Sequence, residues 1–205
     1  MSDGIVWLAE EWLRPDSPVL FVTFARGITP PDLAVRLGAD ARAILEPMTA
    51  AETRAMTYND RVSARVARLG ECAGWSFAVE QGWPSKAWWA RPEVSAGGVE
   101  VLHLTAKPDD PPRECWYYRD GATVGRFDFG ERPEGGLEFL VPALEEAGAV
   151  DDPFLPDFPE DYDETPPTLT ALENHFHLSL PRELILTGSL PAAVTAKVPP
   201  ENLGD

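Results

Sequence analysis

The sequence predicts an α+β protein in which an antiparallel sheet of about five strands packs on one face against N- and C-terminal helices. Strand-like segments are concentrated in residues 61–129, where they follow one another as hairpins. Helical patterns precede and follow this region. Of the 205 residues, 44% are hydrophobic, which allows one core that buries about 70% of the unfolded chain's surface. We therefore expect residues 1–205 to form a single domain.

The N-terminal part of the chain predicts helices around one strand. Residues 4–14 carry apolar side chains at helical spacing. Residues 18–25 are a short, β-branched and aromatic run, which is typical of a buried strand. Thr29 and Thr49 each precede an acidic residue by three positions, and this spacing predicts the start of a helix at both places.

The central strands are predicted by alternation. Residues 75–80 alternate strictly between large apolar side chains, Trp75 among them, and small or polar ones. Residues 114–129 predict a hairpin, because Asp120-Gly121 can form a turn with positive φ. Further strands are predicted at residues 61–69 and 99–106.

Helices return toward the C-terminus, at residues 137–147, 168–178 and 181–187, and Pro142 is expected to divide the first of them. Between these helices, residues 150–167 hold five prolines among acidic side chains, a composition that predicts a loop. From about residue 199 the tail is expected to fray.

The net charge of −17 is unevenly distributed. Residues 131–164 contain twelve acidic side chains and one basic side chain. Such a chain lacks the clustered Lys and Arg that bind nucleic-acid phosphates or anionic membranes, so we predict neither as a partner. A basic protein partner remains compatible with this charge. No apolar run is long enough to span a membrane and no secretory signal is visible, so we expect a cytoplasmic protein with two free cysteines, Cys72 and Cys115.

Motifs that support catalysis or cofactor binding are scarce. Neither Gly-x-Ser-x-Gly nor a glycine-rich phosphate loop occurs. His175 and His177 would diverge on a helix, which disfavours a shared metal ion, and His103 is expected to be solvent-facing or hydrogen-bonded. We therefore predict no metal and no cofactor. Glu80 is a lone carboxylate at a strand end, either solvated, paired or a general base without an identifiable second group.

Two segments carry the candidate binding residues. Three tryptophans lie in a loop segment between two predicted strands, and they either pack over the sheet edge or contact a partner, since Trp is enriched in binding hot spots. The acidic loop is held in place by its own aromatic side chains, docks a basic partner or binds calcium weakly, although its spacing does not fit the twelve-residue calcium loop. Together with Glu80 these segments supply the candidate residues Trp83, Trp88, Trp89, Asp157, Phe158, Asp161 and Tyr162.

Several segments together resemble an uncharacterised family of actinobacterial proteins whose domain has no assigned function. They are Val-Thr-Phe-Ala-Arg-Gly-Ile-Thr-Pro at 22–30, Arg-Leu-Gly-Ala-Asp at 36–40, Gly-Trp-Ser-Phe-Ala-Val-Glu-Gln-Gly at 74–82, Tyr-Arg-Asp-Gly at 118–121 and Leu-Thr-Gly at 186–188. The resemblance covers most of the chain and implies a bacterial cytosolic protein. The helix-flanked sheet with its Gly-Trp-x-Phe-x-x-Glu strand also resembles, in style, the small immunity proteins of bacterial toxin systems.

The leading functional hypothesis is a non-catalytic protein-binding module of immunity or regulatory type. An alternative is an enzyme or small-ligand binder with its site under the Trp83–Trp89 segment near Glu80. A second alternative is an acidic mimic of DNA that sequesters a basic nucleic-acid-binding protein.

Overall fold

The computed structural model describes residues 3–14, 19–42, 45–57, 63–81, 91–105, 113–150 and 162–198. The strands are β1 Leu20–Arg26, β2 Glu46–Thr49, β3 Ser63–Cys72, β4 Trp75–Gln81, β5 Glu100–Leu104, β6 Glu114–Arg119, β7 Ala122–Asp128 and β8 Ser189–Val198. The α-helices are α1 Trp7–Trp12, α2 Pro30–Arg36, α3 Ala50–Thr57, α4 Val141–Ala147, α5 Thr165–Phe176 and α6 Arg182–Leu186. Two 3₁₀ helices, η1 Pro92–Ser95 and η2 Gly135–Leu140, complete the described elements.

The α+β class and the antiparallel sheet are confirmed, but the sheet has eight strands and not about five. Its order is β2-β8-β3-β4-β1-β5-β6-β7, and every neighbouring pair is antiparallel. The hairpins β3–β4 and β6–β7 lie where the alternation predicts them. Two strands that the sequence did not predict, β2 and β8, extend the sheet beyond β3.

The two missed strands have compositions with weak strand propensity. β8 begins Ser-Leu-Pro-Ala-Ala, and Pro and Ala are depleted in strands. β2 has four residues, includes Pro47 and lies at the edge of the sheet, where proline is tolerated. β8 is a strand because β3 and β2 hydrogen-bond to it from both sides, and that tertiary pairing outweighs its local preference.

Helices cover both faces of the sheet, whereas the sequence predicts packing on one. The first face, which carries Trp75, Phe77 and Val79, packs against α1, α4, α5, α6 and η2. The second face packs against α2 and η1. Its strand side chains include Ala25, Ala67, Ala78 and Ala193, and their small size allows this second layer to approach closely.

The two helix starts predicted at Thr29 and Thr49 are confirmed. Thr29 Oγ1 accepts a hydrogen bond from the Asp32 backbone N–H at 3.3 Å, and Thr49 and Glu52 form a reciprocal capping box. Pro142 divides the predicted helix 137–147 into η2 and α4, and it occupies the first turn of α4. The predicted loop ends earlier than residue 167, because prolines are also tolerated in the first turn of α5, which begins at Thr165.

Candidate functional site

The structure describes two of the eight candidate binding residues. Trp83, Trp88, Trp89, Asp157, Phe158 and Asp161 lie outside the described residues. Glu80 and Tyr162 lie within them.

Glu80 is on the second face of the sheet and is 6% exposed. Its Oε1 accepts a hydrogen bond from the Thr195 hydroxyl of β8 at 3.2 Å. Its negative charge also acts on Arg65, whose pKa is lowered by burial and raised in turn by Glu80. Glu80 is therefore a buried, paired carboxylate, which is one of the interpretations that the sequence left open.

His103 lies on the same face and is 4% exposed. A hydrogen bond of 2.8 Å joins its Nδ1 to Thr23 Oγ1 on β1, whereas its Nε2 has no partner within the described ranges. Burial lowers the pKa of His103 to about 4, so the ring is neutral at pH 7. The space beside the ring, lined also by Arg91 and Tyr118, is about 10 Å³, which is room for one water molecule.

His103 and Glu80 do not form a catalytic pair. His103 is bonded to Thr23, Glu80 is bonded to Thr195, and their strands are separated by β1. Arranged in this way, the two groups cannot exchange a proton directly.

Exposed carboxylates gather along η2 and α4, in a region that we call the acidic surface. They lie within sixteen consecutive residues, and one of them, Glu145, pairs with Arg132 at 2.8 Å. Two exposed aromatic side chains belong to the same region: Phe139 in η2, 44% exposed, and Tyr162, 37% exposed. The Tyr162 hydroxyl donates to the Gly148 carbonyl at the end of α4, at 2.8 Å. The acidic surface thus comprises Glu131, Glu134, Glu138, Phe139, Glu145, Glu146 and Tyr162.

An open cleft of about 430 Å³ lies on the first face, where β1 ends and β5 begins. Three charged side chains cross its floor on adjacent strands, because Arg26 pairs in register with Glu100 and Glu100 with Arg119. Arg26 Nε donates to Glu100 Oε2 at 2.8 Å, and the Tyr117 hydroxyl donates to Glu100 Oε1 at 2.6 Å. Arg26 also lies 4.6 Å above the ring of Trp75, so its guanidinium is held from two sides.

Aromatic rings form the wall of this cleft. The ring centroid of Phe139 is 5.3 Å from that of His175 and 5.9 Å from that of Tyr117, and His175 is 4.8 Å from Phe176. Burial lowers the pKa of His175, which favours its neutral ring at pH 7. Burial and the bond to Glu100 raise the pKa of Tyr117 to about 12, so its hydroxyl remains a donor.

Sequence reasoning missed this cleft because its charged row depends on distant pairing. Arg26, Glu100 and Arg119 each occupy the first or last position of a strand. Charged residues at strand ends could have indicated a site. The pairing of β1 with β5, however, joins residues about eighty positions apart and cannot be predicted from neighbouring residues.

Within the described ranges, no group of three or more His, Cys, Asp or Glu side chains is placed to hold a metal ion. Every helix there is too short or too polar to cross a lipid bilayer. No protein-family model, curated protein or solved structure matches the chain. The acidic surface and the cleft are therefore the features from which a function can be inferred.

Proposed function

We propose that the chain is a non-catalytic protein-binding module of immunity or regulatory type, and that its acidic surface docks a basic protein partner. The observation that carries this proposal is the bond from Tyr162 to Gly148, which places an exposed aromatic side chain at the end of the helix that bears Glu145 and Glu146. Carboxylates of this kind accelerate encounter with a cationic partner, and exposed aromatic rings supply contact area once it is bound.

The charges of the acidic surface are available to a partner. Glu131, Glu134, Glu138 and Glu146 form no ion pair with any described residue, and all four are exposed. Their negative potential adds to that of a chain with a net charge of −17. A basic partner would replace repulsion among these carboxylates by attraction.

A cytoplasmic location is part of the same proposal. Cys72 and Cys115 are both free thiols, which is the usual state in a reducing compartment. Membership of the actinobacterial family that the sequence resembles is likewise a proposal, and it would be consistent with this location.

The proposal is tested by neutralising carboxylates at two places with the same change in net charge. The first variant carries Glu134→Gln, Glu138→Gln and Glu146→Gln in the acidic surface. The control variant carries Glu46→Gln, Glu71→Gln and Glu183→Gln, three exposed carboxylates elsewhere on the molecule.

Each protein is immobilised, exposed to lysate of the native organism, and its retained proteins are identified by mass spectrometry. We expect wild type and control to retain the same basic protein, and the acidic-surface variant to lose most of it. Retention should also fall as NaCl rises from 50 to 500 mM, because salt screens surface charges. Equal retention by both variants, or an acidic partner, would contradict the proposal. Displacement of the partner by duplex DNA would instead favour the DNA-mimic hypothesis.

A further inference from the structure

The cleft on the first face contains an unmatched positive charge. Two guanidinium groups, from Arg26 and Arg119, flank the single carboxylate of Glu100. Arg26 and the Tyr117 hydroxyl donate to the two oxygens of Glu100. Arg119 is exposed and its side chain has no hydrogen bond or ion pair with any residue that the structure describes. The row therefore carries a net charge of about +1 within a strongly acidic protein.

The wall of the cleft suits a flat apolar group. Phe139, 44% exposed, and the ring of His175 lie beside the charged row. The rings of Phe176 and Tyr117 contact Phe139 and also line the cleft. Such rings favour stacked or edge-on contact with another aromatic ring. The neutral form of His175 leaves this wall uncharged at pH 7, with Arg119 as the free cation.

The shape of the cleft is fixed by packing. η2 approaches β7 so closely at Gly136 that a Cβ there would lie 2.7 Å from Val124 Cγ1 and 2.8 Å from the Val124 carbonyl oxygen. Arg26 is held by Glu100 and by the ring of Trp75. A volume of about 430 Å³ is within the range of small-molecule sites.

We propose that this cleft binds a small aromatic carboxylate, with the ring against Phe139 and His175 and the carboxylate on Arg119. A guanidinium binds a carboxylate through two parallel hydrogen bonds, and a single negative charge matches the single unmatched positive charge of the row. A dianion would meet repulsion from Glu100, and a cation would meet Arg119. This cleft shares Phe139 with the acidic surface, but its recognition of charge depends on Arg119 and not on the glutamates of η2 and α4.

Binding is measured by NMR with three probes of similar shape: phenylacetate, its neutral amide phenylacetamide, and the cation 2-phenylethylamine. Their affinities are compared to show which charge the cleft prefers. The chain has three histidines, so their imidazole C–H signals can be resolved and assigned by substitution. We expect phenylacetate to shift the His175 signals and to leave those of the buried His103 unchanged. Its dissociation constant should be about tenfold lower than that of the amide, which corresponds to one charge-assisted contact.

The matched variants are Arg119→Gln and Arg42→Gln, which remove the same charge inside and outside the cleft. Arg119→Gln should abolish the preference for carboxylate over amide, and Arg42→Gln should retain it. Unchanged His103 signals verify that each variant is folded. Equal binding of carboxylate and amide by wild type, preference for the amine, or no shift of His175 with any probe would each overturn the proposal, whatever the outcome at the acidic surface.

Discussion

A buried arginine offers the most direct test of the energetics of this fold. Arg68 lies on β3, on the first face of the sheet, and is 1% exposed. Its Nη2 donates to the Ile185 carbonyl at 2.7 Å, whereas Nε and Nη1 have no hydrogen-bond partner within the described ranges. Burial lowers the pKa of Arg68 to about 10, from an ordinary 12.5. A lowering of this size corresponds to about 3 kcal/mol of unfavourable free energy for the charged form in the folded state.

Replacing Arg68 by methionine should therefore stabilise the protein. The substitution removes the buried charge, and it also loses the hydrogen bond to Ile185, whose carbonyl then lacks that donor, at a cost of about 1 to 2 kcal/mol. The expected net gain is about 1 to 2 kcal/mol in the free energy of unfolding, or about 4 °C in Tm for a chain of this length. Below pH 10 the arginine is protonated in both the folded and the unfolded state, so this gain should not change between pH 6 and 8.

Urea denaturation measures the free energy of unfolding, and two variants serve as controls. Arg68→Lys keeps a buried positive charge and should be no more stable than wild type. Arg42→Met changes an exposed arginine and should alter stability by less than about 0.5 kcal/mol. A loss of 2 kcal/mol or more in Arg68→Met would refute the reasoning, because it would show that an anion compensates the guanidinium in the native protein.

Three further outcomes are expected. Burial lowers the pKa of His103 to about 4, so between pH 7 and 5 the unfolded ring gains a proton that the folded ring does not. The free energy of unfolding should therefore fall by about 2 kcal/mol over that interval. In urea titrations, His103→Gln should remove this part of the pH dependence. Gly38 and Gly74 both have positive φ, but a Cβ at Gly38 would lie 2.4 Å from a backbone oxygen of β8, while Gly74 has open space; Gly38→Ala should cost about 2 kcal/mol more than Gly74→Ala in thermal unfolding. Burial raises the pKa of the Cys115 thiol, so Ellman's reagent should modify only the half-buried Cys72 at pH 8 until the protein is unfolded; two reactive thiols in the native state would contradict this burial.

Local sequence patterns predicted the strands and helix starts that depend mainly on neighbouring residues. The alternation around Trp75 defines β4, and both Thr-x-x-acid sequences cap helices, because these signals depend on neighbouring residues alone. β8 was missed because its alanines and proline favour no strand, and it is held by β3 and β2, which lie far from it in sequence. Local reasoning cannot supply such pairings.

The candidate sites likewise divide into features that neighbouring residues predict and features that depend on tertiary structure. Tyr162 was predicted as a binding residue because it is an aromatic side chain among acids. The structure shows it exposed and bonded to the Gly148 carbonyl, and its role in binding stays a prediction. The interpretations of Glu80 and His103 depended on whether the second face is covered. A row of alanines on that face admits α2 and buries both groups, and no pattern within one strand shows that a helix from elsewhere will cover it. To predict the cleft, one must know that β1, β5 and β6 are neighbours in the sheet, and this order follows only from the complete topology.

One residue connects the two proposals. Phe139 follows Glu138 in the acidic surface and also lines the cleft beside His175. A partner that covers Phe139 must change the surroundings of the ring that we expect to contact an aromatic carboxylate. Linkage then requires the partner and the ligand to alter each other's affinity by the same factor. If the partner closes the cleft, phenylacetate should reduce partner retention, and saturating partner should weaken the response of His175 to phenylacetate equally. Retention and titration that are both unaffected would show that the two surfaces act independently, even if each binds its own ligand.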